Sequence, residues 1–545
     1  MKKFLSILMV LAMILAMSTT AFAAEGHTTT VSITNANGRT YVGYQLLDLT
    51  TSLKTGEHHP DDCDGAKHSD DCYNYAYTVN DKYTAILQKE VFDNGGNYLW
   101  EGGVKPANSG LITKDQILKY LSNQASDHNG TYATMRQVAD RIYRAILADN
   151  IEADAENLTG SNDTIAQGYW MFADEIDLNN GINVANSLVM VDTAGQDAIT
   201  INPKTALPTV EKKVKDIEDT EDSNIADNEW HDTADHDIGD NVPFKLTATL
   251  PSNAQGYQTY KLIFHDTLAD SLTLKSETIK VLMYETLHRA NADFDLNDGK
   301  DVTDEFYRKT SELADDCDLE VGCDNVFSIE GTTKDSVFVV YYEAVLGENA
   351  IIGGNGNTNE VYLEYSNNPY GTGTGTTEID KVTVFTYQLK INKVDGEGHA
   401  LAGAEFALYK KVLGENEPVW VDIDAFNENS TTFTWTGLDD GDYILKETKV
   451  PAGYNGMADI EFTITATHSQ NEDGTLTLTS LDGGKMGLGD TANGVIDENI
   501  VNNTGSGLPE TGAMGTFMLI FGGAALVMIA AVFMITRKKM SVYED

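Results

Sequence analysis

Cysteine and histidine are the side chains of this sequence best able to form covalent or metal bonds, and its four cysteines fall in two short-range pairs. Cys63 and Cys72 bracket a polar loop, as do Cys317 and Cys323. Thiols at such spacing can oxidise to a disulfide or hold a metal as thiolates. His58, His59 and His68 lie beside the first pair and keep a metal site open there. Asp61, Asp62, Asp64, Asp70 and Asp71 make that loop strongly acidic, and its spacing matches no tight zinc pattern. In an exported chain the simpler reading is two disulfides. The local pairing Cys63–Cys72 plus Cys317–Cys323 is favoured among three connectivities. A second cluster, Asp293, Asp295 and Asn297, alternates as calcium-loop oxygens do, with Asp301 and Asp304 following. Gly299 falls one place too late for such a loop, which favours a solvated acidic turn. No Ser/His/Asp or metal-hydrolase pattern stands out, and no cofactor is expected.

The two ends indicate export. Lys2 and Lys3 precede an apolar run from Phe4 to Met17, and Ala21-Phe22-Ala23 is a small-x-small cleavage site. The mature chain would start at Ala24. Near the other end, Phe517 to Ile535 is 19 residues without a charge, about the length that crosses a bilayer core. Arg537-Lys538-Lys539 follows, on what the positive-inside rule makes the cytoplasmic side. The 84 acidic against 37 basic residues, net −47, exclude nucleic acid as a partner, because phosphate contacts need Lys and Arg. They suit a soluble, self-repelling surface protein. A hydrophobic content of 41% in 545 residues allows packed cores, in about three or four domains.

The pattern along the chain gives mainly β structure after an α+β N-terminal domain. Thr30 to Thr34 alternates, and Asn37-Gly38 predicts a hairpin turn before Tyr41 to Leu49. Thr113 and Gln116 form a capping box ahead of Ile117, Leu118 and Leu121. A second helix is predicted near Thr134 to Ala148, with Val138, Ile142 and Ala145 on one face. Asn202-Pro203-Lys204 and Leu207-Pro208-Thr209 read as an interdomain joint. Beyond it, Val242 to Leu250 and Tyr260 to Phe264 alternate as strands, with Pro243 at a strand start or edge. Gly371 to Thr377 reads as a Gly/Thr linker, and Lys381 to Asn503 again alternates. Short strands joined by turn residues suggest tandem immunoglobulin-like β-sandwiches. The expected division is 1–23 signal peptide, 24–207, 208–378, 379–505, then a membrane span over 515–536 and a tail over 537–545.

Family motifs add to this. Leu508-Pro509-Glu510-Thr511-Gly512, followed by the apolar run and basic tail, resembles a Gram-positive cell-wall sorting signal, which a sortase cuts between Thr511 and Gly512. Tyr443 to Tyr454, YILKETKVPAGY, resembles the E-box of sortase-assembled pilins, with Val450 where that family usually has Ala. Leu389 to Asp395 and Leu401 to Phe406 resemble the opening strands of a Cna B-type domain, and Ile500-Val501-Asn502-Asn503 its last strand. In that family a Lys, an Asn and an acid form a spontaneous isopeptide bond. Burial lowers the Lys pKa so that the amine is a nucleophile, and it keeps the acid protonated. The resemblance implies Lys393 joined to Asn502, or Asn503 one register step away, with Glu447 as the acid. Val210 to Val214 likewise resembles the first strand of a Cna A-type domain. Phe264 to Leu268 and Tyr365 to Pro369 resemble segments of pilin middle domains. With Val210, Lys212 and Val214 on one face, and Val361, Leu363, Tyr365 and Asn367 on another, the implied set is Lys212, Asn367 and Asp266. Asp240 is the alternative acid. Ile199 to Lys204 resembles the end of a pilin motif, with Asn202 in place of the usual Tyr, and marks Lys204 as the amine that accepts the next subunit.

The resemblance therefore implies a structural, non-enzymatic backbone pilin at the cell surface. Its subunits would be joined by sortase through Thr511 and Lys204 and stiffened by isopeptide bonds. Implied partners are sortase, identical subunits and peptidoglycan, with minor pilins and a host receptor as further candidates. A monomeric wall-anchored adhesin or basal minor pilin is the alternative. No DxSxS-type metal motif of a tip adhesin is present.

Overall fold

The computed structural model describes residues 22–23, 28–34, 40–53, 73–90, 113–124, 135–160, 163–174, 181–182, 185–202, 206–217, 230–292, 294–313, 315–412, 419–423, 427–428, 431–471 and 474–505. Lys204, Cys63, Cys72, Asp293, the sorting motif, the apolar run and most of the leader lie outside them. Among the described residues no helix is long and apolar enough to cross a membrane. The described chain is mainly β, arranged around successive hydrophobic cores.

In the N-terminal region the long strand β2 (Tyr41–Leu53) pairs with β3 (Tyr73–Val79) and β5 (Gly168–Asp174), and β5 pairs with β6 (Leu188–Asp192). Helices α1 (Thr84–Glu90), α2 (Lys114–Gln124) and α3 (Met135–Ala148) cover one side. Val138, Ile142 and Ile146 recur at the helical i, i+4 interval on α3 and are fully buried with Leu46, Ile86 and Ile117. The capping box is present at α2: the Thr113 amide donates to Gln116 Oε1 at 2.9 Å, and the Gln116 amide donates to Thr113 Oγ1 at 3.3 Å. The expected turn at Asn37-Gly38 lies outside the described residues, and among those described the two strands do not pair. Strand β1 (Thr28–Ile33) pairs antiparallel with β4 (Asp163–Ala166) and parallel with β7 (Ala198–Ile201), not with β2. Val31 and Tyr41 enter one core from these two layers, so the two strands face each other across a core instead of sharing a ladder.

The middle region is a sandwich. One sheet contains β8 (Thr209–Lys215), β9 (Asn241–Thr249), β13 (Val337–Leu346) and β11 (Leu272–Tyr284). The other contains β15 (Asp380–Phe385), β14 (Asn357–Ser366), β10 (Leu262–Leu268) and β12 (Leu319–Cys323). On β9, Phe244, Leu246 and Ala248 fill the interior. The opposite face is covered too: Lys245 Nζ lies 5.2 Å from the ring centres of both Trp230 and Phe294. Pro243 sits where β9 has a partner only on the β13 side, as a residue without an N–H requires. Two boundaries differ from the sequence reading. Thr374–Thr376 pairs with the end of β14, so the Gly/Thr segment is part of the sheet. Strand β15, beyond the expected boundary at 378, pairs with β14 of the middle sandwich.

In the C-terminal region β16 (Tyr387–Asp395) lies between β18 (Thr432–Leu438) and β22 (Val495–Asn502), its first and last strands running parallel. The facing sheet has β17 (Glu405–Val412), β19 (Gly441–Lys449), β20 (Ile460–Gln470) and β21 (Leu476–Asp482). Trp435, Tyr443, Ile391 and Leu408 lie in the core between them. The two sandwiches dock closely. Lys410 of β17 is buried between Asp237, at 2.7 Å, and Asp439, at 3.2 Å. Gly353 and Gly494, both at positive φ, approach so closely that a Cβ on Gly353 would lie 2.2 Å from the Gly494 backbone.

Candidate functional site

Alternation on β8 turns Lys212 inward while Lys213 pairs with Asp232 outside. Lys212 is fully buried. Its amine donates to Asp266 of β10, across the sandwich, and to Asn359 Oδ1 of β14 at 2.5 Å. The Tyr342 hydroxyl of β13 completes the set. It donates to Asp266 Oδ1 at 2.8 Å and accepts from Asn359 Nδ2 at 2.7 Å. Phe244 and Tyr342 form an aromatic floor, with ring centres 5.6 and 5.8 Å from Nζ. Burial lowers the Lys212 amine to about 8, a fall that Asp266 partly offsets. Burial raises the Asp266 carboxyl, opposed by the same lysine. Burial therefore moves both groups toward their neutral forms.

Asn367 is not part of this centre. It is buried on the same face of the chain as Asn359, but eight residues on, roughly 27 Å along an extended strand. Its backbone meets Asn186 and Gly373 instead. Alternation gives Asn359 and Asn367 the same face, and Asn359 is the one beside Lys212. Asp240 is held beside His236, 3.7 Å away, and its carboxylate accepts from the Asp237 amide.

The C-terminal region has a second centre. Lys393 is the last inward residue of β16 and is fully buried. Its amine donates to the carbonyls of Val394 and Ile500, each at 3.0 Å. Asn502, buried at the end of β22, donates through Nδ2 to Glu447 Oε1 at 2.6 Å. Its Oδ1 has no hydrogen-bond partner among the described residues. Glu447 is fixed by the Met457 amide, which donates to Oε2 at 3.0 Å. Burial lowers the Lys393 pKa, with Glu447 opposing. In the parallel register Lys393 lies opposite Ile500, two places from Asn502 on the same face. Asn503 is exposed.

The second cysteine pair is not a disulfide: Cys317 and Cys323 are both free and buried. Strand β12 keeps them apart, because its five extended residues alone span about 13 Å, well beyond the roughly 7 Å limit between bridged Cα atoms. Burial, with Asp315 beside it, pushes the Cys317 thiol up to about 12, so it is no nucleophile at neutral pH. In the acidic turn, Asp295 Oδ1 accepts from the Asn297 amide and side chain, each at 2.9 Å, and Asp298 pairs with Arg289. Sequence reasoning missed Asn359 and Tyr342. Both stand at inward positions of alternating strands, the only signal available for them.

Residues 387–485 match the SpaA prealbumin-like fold domain. The chain is 26% identical over 267 residues to the trypsin-resistant surface T6 protein of Streptococcus pyogenes serotype M6. That alignment takes in 46% of this chain and 44% of the relative, so the chain matches under half of the relative's length. Among solved structures, the T6 backbone pilin of the same serotype aligns with 89% of this chain and 100% of its own, at 16% identity and a TM-score of 0.45. The major pilin SpaA of Corynebacterium diphtheriae aligns with 64% of this chain and 84% of its own, at 14% identity and 0.38. Residues 387–485 thus carry a SpaA-type prealbumin-like domain, and about half of the chain is similar to the T6 protein.

Proposed function

We propose that the chain is the backbone subunit of a covalent, cell-wall-anchored surface fibre, stiffened by two internal isopeptide bonds. The observation that carries the reading is the buried Lys212, Asp266 and Asn359 centre, closed by Tyr342. In this reaction neutral Nζ of Lys212 attacks Cγ of Asn359. The Nζ–Cγ bond forms, the Cγ–Nδ2 bond breaks, and one ammonia leaves. Asp266 gives its acid proton to the Tyr342 hydroxyl and takes one back from Nζ, so acid and phenol end as they began. Tyr342, hydrogen-bonded to Asp266 and to Nδ2, passes a proton to the departing nitrogen. The net change is amine plus primary amide to secondary amide plus ammonia. Fixed positions inside a sandwich supply much of the acceleration. Lys393, Asn502 and Glu447 are assigned the same chemistry, with Glu447 beside the leaving nitrogen.

The intermolecular link is assigned to Thr511 and Lys204, with a sortase as the enzyme and peptidoglycan as the final acceptor. Lys204 follows Pro203, which lacks an amide donor and favours an extended segment where an amine is reachable. Identical head-to-tail contacts then propagate without closing. The test is a boiled denaturing gel of cell-wall extract. Wild type is expected to give a ladder and Lys204→Ala a single anchored band. A ladder that survives Lys204→Ala would remove this assignment, and a single wild-type band would favour the monomeric adhesin.

A further inference from the structure

Outside both centres, three side chains of different chemistry converge on the outer face of β10. His265 Nδ1 lies 2.8 Å from Asp315 Oδ2 and 3.9 Å from Cys317 Sγ. The three ligand atoms all lie within 4.8 Å of one another. His265 and Cys317 are buried, 7% and 9% exposed. The other ring nitrogen, Nε2, faces Glu364 Oε2 at 3.6 Å. Tyr362 stacks on the imidazole, with ring centres 4.6 Å apart, and its hydroxyl donates to Asp315.

We propose that His265, Asp315 and Cys317 form a binding site for one divalent transition-metal ion, zinc foremost. Nε2 is buried without a hydrogen-bond partner among the described residues, and Glu364 Oε2 at 3.6 Å is the carboxylate that would hold its proton once Nδ1 binds an ion, as in carboxylate–histidine–metal triads. Nδ1 and the Asp315 carboxylate lie 2.8 Å apart, the distance of a hydrogen bond, so in the metal-free site a proton holds the place that the ion would take. Nitrogen, oxygen and sulfur together select a borderline-soft ion over calcium or magnesium. Zinc bonds of about 2.0–2.3 Å put tetrahedral ligands roughly 3.3–3.6 Å apart, so the 2.8 Å pair must open by about half an ångström and the wider pairs close by up to about 1 Å. The fourth tetrahedral position is left to solvent. The ion would tie the Asp315–Cys317 segment to β10, beside Asp266.

The test is cobalt(II) titration of the full chain, purified reduced and stripped with a chelator, followed by zinc competition. One cobalt per chain is expected, with thiolate-to-cobalt charge-transfer absorption and tetrahedral visible bands. Because His58, His59, Cys63, His68 and Cys72 could also bind cobalt, the doubly substituted Cys63→Ser, Cys72→Ser protein must keep the signal. Cys317→Ser must lose the charge-transfer band, while Cys323→Ser must keep it. Glu364→Gln, a positioning change, should weaken zinc roughly 10–100-fold without removing the band. Absence of the band in wild-type protein would leave the cluster as a histidine–carboxylate contact only and overturn the proposal. So would loss of the band with Cys63 and Cys72 rather than with Cys317.

Discussion

Asn359→Ala and Asn367→Ala separate the two asparagines on one face of the middle sandwich. Both are buried, but only Asn359 touches Lys212. A bond between Lys212 and Asn359 closes a loop whose ends are 147 residues apart. Loop-closure entropy for that length gives about 5 kcal/mol lost when the bond cannot form. Removing the amide also strips Lys212 and Tyr342 of a buried partner, which adds about 1–3 kcal/mol. For a domain of this size that lowers the melting temperature by roughly 10–20 °C. The assay is intact mass with calorimetry on the exported ectodomain. Wild type should be lighter than its sequence by two ammonia, Asn359→Ala by one, and Asn367→Ala by two. If Asn359→Ala keeps the full deficit and Asn367→Ala loses one ammonia, the contact geometry is not the reacting geometry and the argument fails.

In the C-terminal centre, Glu447→Ala should restore one ammonia to the intact mass, and an unchanged deficit would reassign the acid. Tyr342→Phe removes the link between Asp266 and the leaving nitrogen but keeps the ring, so freshly expressed protein should be a mixture of bonded and unbonded middle domains. Complete bonding at the earliest time sampled would show the hydroxyl to be dispensable. Lys245 is buried under aromatic rings and its amine is lowered to about 8 by burial, against an ordinary value of 10.5. The native state then binds fewer protons than the unfolded chain between those values. Stability should therefore rise as pH climbs from 8 to 10.5, with the full penalty, at most about 3 kcal/mol, present at neutral pH. Lys245→Met should stabilise the protein at pH 7 and flatten that rise in denaturant titrations; a destabilised variant would contradict it.

How much of this was legible depended on what pinned each residue. The E-box runs unbroken from Tyr443 to Tyr454, so Glu447 came with a fixed place on its strand, and Asn502 followed from the short stretch before the chain end. The middle centre had only alternation to guide it. A period of two gives Asn357, Asn359 and Asn367 the same face and cannot rank them. Tyr342 is one of several inward aromatics, and nothing local distinguishes it from Phe244. The cysteine pair misled for a related reason. Spacing of six residues suggests a loop, but Leu319–Cys323 is drawn straight by pairing with β10 from a distant part of the chain. The covered outer face of β9 was hidden because the residues that bury it, Trp230 and Phe294, belong to other segments.

The parallel pairing of β16 with β22 has a mechanical consequence. Tyr387 enters the C-terminal sandwich at one end of the ladder, and Asn502 leaves from the other. Tension applied through the chain slides the two strands past each other lengthwise. All rungs of the ladder are then strained together, a shear geometry, instead of parting one at a time as in an unzipping hairpin. A bond from Lys393 to Asn502 would lie at the exit end of that ladder. Shear would be stopped there before the first rung had travelled far, and the more than one hundred residues between those positions would carry no tension.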